Sequence, residues 1–124
     1  MNPSEHHVAV LGASSKPHRY ANQAIKLLNE LGYEVTPVHP KLESVEGLQV
    51  FSSLGKISKT IDTLTLYVGP QRLAPMFDEI VNAAPSRVIF NPGTESRDLT
   101  SRLDKAGIEW LEGCTLVMLK TGSF

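Results

Sequence analysis

Five short apolar runs, at residues 8–11, 33–38, 64–68, 88–90 and 108–111, set the limits on what this chain can become. None is joined to the next by a two-residue hairpin turn. Strands separated by a dozen or more residues pair in parallel, usually through a crossover helix. The connections supply that helical periodicity. Ala21, Ala24, Ile25, Leu28 and Leu31 recur at helical spacing before Gly32, which predicts a helix over 20–31. Leu73, Phe77, Ile80, Val81 and Ala84 predict one helix over 71–84, with Pro75 in its first turn. Leu99 and Leu103 predict another over 96–106, ended by Gly107. The longest connection is expected to hold a turn at Glu46-Gly47 and a short helix near 53–57, and the final "GCTLVMLKTGSF" is too short to assign. Right-handed crossovers leave a three-layer, doubly wound α/β fold with a mainly parallel five-stranded sheet as the simplest arrangement. The length of 124 residues suits one such domain, over 1–124.

Composition narrows the function. A net charge of -1 excludes a generally basic nucleic-acid binder. Cys114 is the only cysteine, so the chain has no internal disulfide framework and suits a reducing compartment. The opening "MNPSEHH" lacks the basic start and apolar stretch of a secretion signal, and His6 and His7 within it read as an inert tail. No run approaches the roughly 20 apolar residues a membrane helix needs. The expectation is a cytoplasmic protein that engages neither nucleic acid nor membrane.

In doubly wound sheets, ligands lie beyond the carboxyl ends of the strands. Here that edge carries "GASSKPHR", "HPKLE", "GPQR" and "NPGTE". Gly12, directly after the first strand, permits a tight turn and the approach of a phosphate to backbone amides at a helix start. Ser14 and Ser15 add hydroxyls, and Lys16, His18 and Arg19 add potential cations. The dinucleotide pattern G-x-G-x-x-G fails, because Ser14 and Pro17 stand at its second and third glycines, and the triphosphate-loop pattern fails as well. The plainer reading of the loop is a tight turn with solvated polar residues.

The tip of the second strand separates ligand classes. NAD sites place an acid there to accept from the ribose hydroxyl. This chain has His39, Pro40 and Lys41 instead, which favours a ligand with an extra phosphate on its adenosine ribose. NADP and coenzyme A both qualify, and Glu43 keeps NAD in view.

Taken together, "VAVLGASSKPHRY", "GYEVTPVHPK", "SL", "YVGP", "NPGTE" and "AGIEWLEGCTLVMLKTGSF" resemble, in order and over essentially the whole chain, the small coenzyme A-binding proteins related to the N-terminal domain of the succinyl-CoA synthetase alpha subunit. The resemblance implies a Rossmann-like domain holding the nucleotide end of coenzyme A. It implies that Gly12, Ala13, Ser14 and Ser15 line the pyrophosphate with Lys16 and Arg19 nearby, and that Pro40 and Lys41 flank the ribose phosphate. Val68, Gly69 and Pro70, with Arg72 just beyond them, would lie against the nucleotide, and Pro92 and Gly93 against the outgoing pantetheine arm. The family commonly has asparagine where His39 stands. The phosphohistidine domain of the synthetases has no counterpart here, so ligase activity is not implied.

No acid, base and nucleophile set stands out, and no histidine or cysteine pair has metal-ligand spacing. Asp62, Asp78 and Asp98 read as solvated acids, while Trp110, Phe77 and Met118 read as core. Phe51 and Phe90 fit either core or an adenine contact. Cys114 has two readings, a thiol able to form a mixed disulfide with coenzyme A and a small packed hydrophobe. The sequence therefore points to a non-enzymatic protein that binds coenzyme A or an acyl derivative, with an unidentified protein partner as a further possibility and "KTGSF" as a conceivable dimer contact. An NADP-binding oxidoreductase or sensor, and an interaction protein that has lost its ligand, are the alternatives.

Overall fold

A computed structural model describes residues 2–124; Met1, the first residue of the segment read as a tail, lies outside it. The strands are His7–Leu11 (β1), Glu34–Val38 (β2), the two-residue pair Ser44–Val45 and Leu48–Gln49 (β3 and β4), Thr63–Leu66 (β5), Arg87–Phe90 (β6) and Glu109–Glu112 (β7). The helices are Tyr20–Glu30 (α1), Pro70–Leu73 (α2), Phe77–Ala83 (α3), Arg97–Ala106 (α4) and Thr115–Thr121 (α5). The main sheet has the order β2-β1-β5-β6-β7, and every neighbouring pair is parallel. The order reverses beside β1, so the crevice between the β1 and β5 loops is a topological switch point.

The side chains of β1 show why the sheet is covered on both faces. Ala9 and Leu11 pack on one side with Leu64, Leu66, Phe77, Ile80, Leu99 and Leu103. Val8 and Val10 pack on the other with Ile25, Leu28 and Val35. Residues 8–11 of β1 are all buried, as a continuous apolar run in a parallel sheet requires, and His7 is buried with them. On β5 the second face is polar instead. Thr63 accepts from Arg87 Nε at 2.8 Å, and the Thr65 and Thr115 hydroxyls meet at 2.8 Å.

Three expectations change. The single helix over 71–84 is three pieces, α2, a 3-10 turn over Ala74–Met76, and α3. The helix starts at Pro70, so Pro75 falls past the first turn, where it has no N–H for the preceding carbonyls. The segment near 53–57 is only a 3-10 turn, Leu54–Lys56. Glu46-Gly47 does turn the chain, as the tip of the β3–β4 hairpin, with φ of 50° and 77°.

The supposed tail is part of the fold. His7 belongs to β1 and is 4 % exposed; its ring bonds the Thr60 carbonyl and the Thr36 hydroxyl at 2.8 and 2.6 Å. Asp62, read as a solvated acid, accepts the His7 amide at 2.8 Å. His6 bonds the Thr63 hydroxyl at 2.7 Å and stacks on Phe124, with Tyr33 edge-on to both rings. Arg87 lies over Phe124, 4.6 Å from its centroid. The end of "KTGSF" is therefore used within its own chain. Trp110 is 36 % exposed on the edge strand, edge-on to the buried Phe90 and donating to Asp104 at 2.8 Å. Met118 is half-buried, and Phe77 and Phe90 are core.

Candidate functional site

The first loop is tied down before it reaches any ligand. The amides of Gly12 and Ala13 both donate to the Val38 carbonyl, at 3.2 and 3.1 Å. Gly12 has φ of +90°, and a Cβ there would stand 2.8 Å from Val68 Cγ2 and 2.9 Å from the Tyr67 carbonyl carbon and oxygen. Its bareness is used up by the crossing of the β5–α2 segment. Backbone donors open to a ligand therefore begin one residue later. The amides of Ser14 and Ser15, and those of Tyr20, Ala21 and Asn22 at the start of α1, have no partner among the described residues. Arg19 occupies the N-cap position with no side-chain cap bond, so the positive end of the helix is bare. Asn22, 2 % exposed, holds the loop from below, donating to the Ser14 carbonyl at 2.9 Å and to Glu46 Oε2 at 3.2 Å.

Above this loop lies a cleft of about 510 Å³. The loop lines it with Gly12, Ala13, Ser14, Ser15, Lys16 and Arg19, and the opposite wall brings Val68, Arg72 and Pro92. Three cations reach it, and no carboxylate lines it. Beside it is a smaller crevice of about 100 Å³ with apolar walls from Leu11, Val38, Leu54 and Met76. Gly12, His39, Val68 and Arg72 border both spaces, and Pro40 borders only the smaller. Lys41, Gly69, Pro70 and Gly93 border neither. Gly69 and Pro70 instead start α2, as N-cap and first helical residue.

Several lining residues escape a reading by motif. Tyr20 stands 70 % exposed at the mouth of the cleft, and Leu42 and Tyr67 form part of its walls. Tyr67 reads as the penultimate residue of a strand over 64–68; because β5 stops at Leu66, it belongs to the loop instead. Burial pushes its phenol up to about 12, the Thr115 and Thr65 hydroxyls oppose the rise and the Cys114 thiol adds to it. Those two hydroxyls already bond each other, and the Tyr67 hydroxyl is buried without a hydrogen-bond partner.

His39 occupies the tip of β2. Its Nδ1 accepts from the amides of Lys41 at 3.0 Å and Leu42 at 3.2 Å. A side chain accepting from residues two and three ahead is the bond an asparagine makes in an Asx turn. The ring is held neutral, its pKa lowered by burial and then by Arg72 and Lys41.

The loop after β6 is built differently. Asn91, 3 % exposed, donates to the Thr65 hydroxyl at 2.7 Å and the Leu66 carbonyl at 2.8 Å, and accepts the Thr115 amide at 2.9 Å. Thr94 closes the turn onto the Asn91 carbonyl. Only Pro92 of this loop reaches the cleft. Cys114, half-buried just before α5, lines neither space, and no group of three His, Cys, Asp or Glu able to hold a metal occurs among the described residues.

A family model described as a CoA binding domain matches residues 6–120. A crystal structure of a protein described as uncharacterized shares 40 % identity with a TM-score of 0.90, over 96 % of this chain and 98 % of that one. YneT of Bacillus subtilis, described as uncharacterized, is 30 % identical over 74 residues, 60 % of this chain and 55 % of YneT, so the match spans about half of that relative. At the level of fold alone, the dinucleotide-forming acetyl-coenzyme A synthetase 1 of Candidatus Korarchaeum cryptofilum aligns with a TM-score of 0.76 at 22 % identity, over 89 % of this chain and 25 % of that one.

Proposed function

The chain belongs to the CoA-binding domain family, and from that premise we propose that it binds coenzyme A or an acyl-CoA by the nucleotide end, without chemistry of its own. Domains of this family are non-catalytic accessory modules. One observation carries the reading: the cleft gathers Lys16, Arg19 and Arg72, free amides and a bare helix start, with no carboxylate in its lining. A pyrophosphate suits that set, because each charge-assisted bond contributes about 1.5–3 kcal/mol. The adjoining apolar crevice suits the flat base, and Pro92, in the lining of the cleft, is the residue we assign to the outgoing pantetheine arm. Lys41 is exposed, its amide donates to His39, and it is the cation we assign to a ribose phosphate at the strand tip. Among the described residues no helix is long and apolar enough to cross a membrane, and a single cysteine suits the reducing cytoplasm in which we place this function.

Isothermal titration with coenzyme A, dephospho-coenzyme A and NADPH tests the proposal. Binding of coenzyme A in the micromolar range, weakened in the dephospho form, is the expected result. No heat with coenzyme A below millimolar concentration overturns it, and tight binding of NADPH alone replaces it with an NADP-binding role.

A further inference from the structure

The cleft and the crevice share Gly12, His39, Val68 and Arg72 in their linings, so the two spaces adjoin at these residues. A nucleotide with its base in the crevice and its pyrophosphate in the cleft would bring its ribose to this shared border. Gly12 and Val68 bring no polar side chain, which leaves His39 and Arg72 to address the sugar. Arg72 can only donate. His39 has two ring nitrogens, and the fold has committed one. Nδ1 accepts two backbone amides, so the proton of the neutral ring is on Nε2. Nε2 has no partner among the described residues, while the ring borders both spaces.

We propose that His39 is a specificity-determining residue whose Nε2–H, presented by the turn at Lys41 and Leu42, donates to a phosphate monoester on the ribose of the bound nucleotide. This rests on the nucleotide reading of the cleft. The chemistry follows from the inventory at this border. A free ribose hydroxyl is best held by a group that accepts its hydrogen bond, as a carboxylate does in NAD sites. His39 and Arg72 offer only donors, and a phosphate offers only acceptors at neutral pH. Glu79, the one carboxylate bordering the crevice, does not border the cleft, and its Oε1 is engaged by the Gly55 amide at 2.9 Å. Lys41 places its charge close by through the same turn, but its side chain borders neither space. The imidazole, held by its turn, is thus the contact at the shared border, and the lysine adds charge from outside it.

Two variants separate the turn from the contact. His39→Asn keeps an acceptor for the Lys41 amide and removes the Nε2 donor. His39→Gln keeps a donor at similar reach and loses the short acceptor. Each is titrated with adenosine 3′,5′-bisphosphate, adenosine 2′,5′-bisphosphate and ADP, with the melting temperature read alongside. The wild type is expected to prefer one bisphosphate over ADP, and the favoured isomer reports which ribose oxygen carries the phosphate. His39→Asn should reduce that preference about tenfold at an unchanged melting temperature. His39→Gln should retain most of the preference while melting lower. Nitrogen-15 correlation spectra of the wild-type ring should show protonated Nε2 without ligand, and a downfield shift of its proton with the favoured bisphosphate. Full preference in His39→Asn, equal losses in both variants, or a proton on Nδ1 would overturn the assignment while leaving the nucleotide reading standing. A wild type that binds coenzyme A but shows no preference for either bisphosphate also overturns it. A wild type that binds no adenosine ligand removes both.

Discussion

The loops after β1 and β6 both put a glycine at φ near +90°, one and three residues beyond the strand, yet they are opposites in construction. The β6 loop is closed. Asn91 spends its whole amide on β5 and the start of α5, and Thr94 seals the turn. The β1 loop is anchored at its base by Gly12, Ala13 and Asn22 and at its far end by Gln23 on the His18 carbonyl, and leaves the Ser14 and Ser15 amides without partners among the described residues and its cations exposed. The glycines differ in the same sense. A Cβ on Gly12 strikes backbone, whereas one on Gly93 meets nothing within 4 Å. One loop stores stability at the sheet edge, and the other is left free to meet an anion.

Substitutions can break this contrast, starting with the closed loop. Asn91→Leu strands the Leu66 carbonyl and the Thr115 amide in a buried site, and should cost roughly 3–5 kcal/mol in urea unfolding. Gly12→Ala adds a backbone collision to an unfavourable φ and should cost about 2–4 kcal/mol by the same measurement. If Gly12→Ala instead kept full stability and lost only coenzyme A, the glycine would serve the ligand and not the strand crossing. Lys16→Ala combined with Arg19→Ala should leave the melting temperature within a degree or two, because both side chains are exposed. Coenzyme A affinity should fall about 100-fold or more in that double variant. Gly93→Ala carries only the conformational penalty, about 1 kcal/mol, and should leave binding intact.

The smallest effect is one of pH. The rings of His6 and His39 both have pKa values lowered by burial, with neighbouring cations adding to it. The unfolded chain takes up these protons near 6.5, and the folded chain does so only at lower pH. Stability contributed by the neutral rings is therefore present above pH 6.5 and lost as pH falls below it. A melting temperature that rose on acidification from pH 7 to 5.5 would contradict this sign.

The sheet, its crossovers and the edge used by the site were legible because they rest on periodicity and on glycine punctuation, which are local signals. What escaped was set by contacts distant in sequence. His7 reads as part of a polar tail until Thr36, Thr60 and Asp62 are brought around it. Trp110 reads as core by type, but the sheet ends at β7 and leaves it half uncovered. The division of labour within "GAS" was hidden for the same reason: the Gly12 and Ala13 amides look available until β2 supplies the Val38 carbonyl. Leu42 and Tyr67 carry no motif, and nothing short of the folded sheet places them around one cleft.

The packing of His6 against Phe124 brings the two ends of the described chain together on the side of the sheet away from the cleft. Order along the chain is therefore separable from the architecture. A circular permutant in which a short linker joins 124 to 2, with new ends cut at the Glu46-Gly47 hairpin tip, would keep every strand pairing of the main sheet and the whole cationic wall of the cleft. It would give up the grip of Asn22 on Glu46, and so show how much the open loop depends on being held from that side.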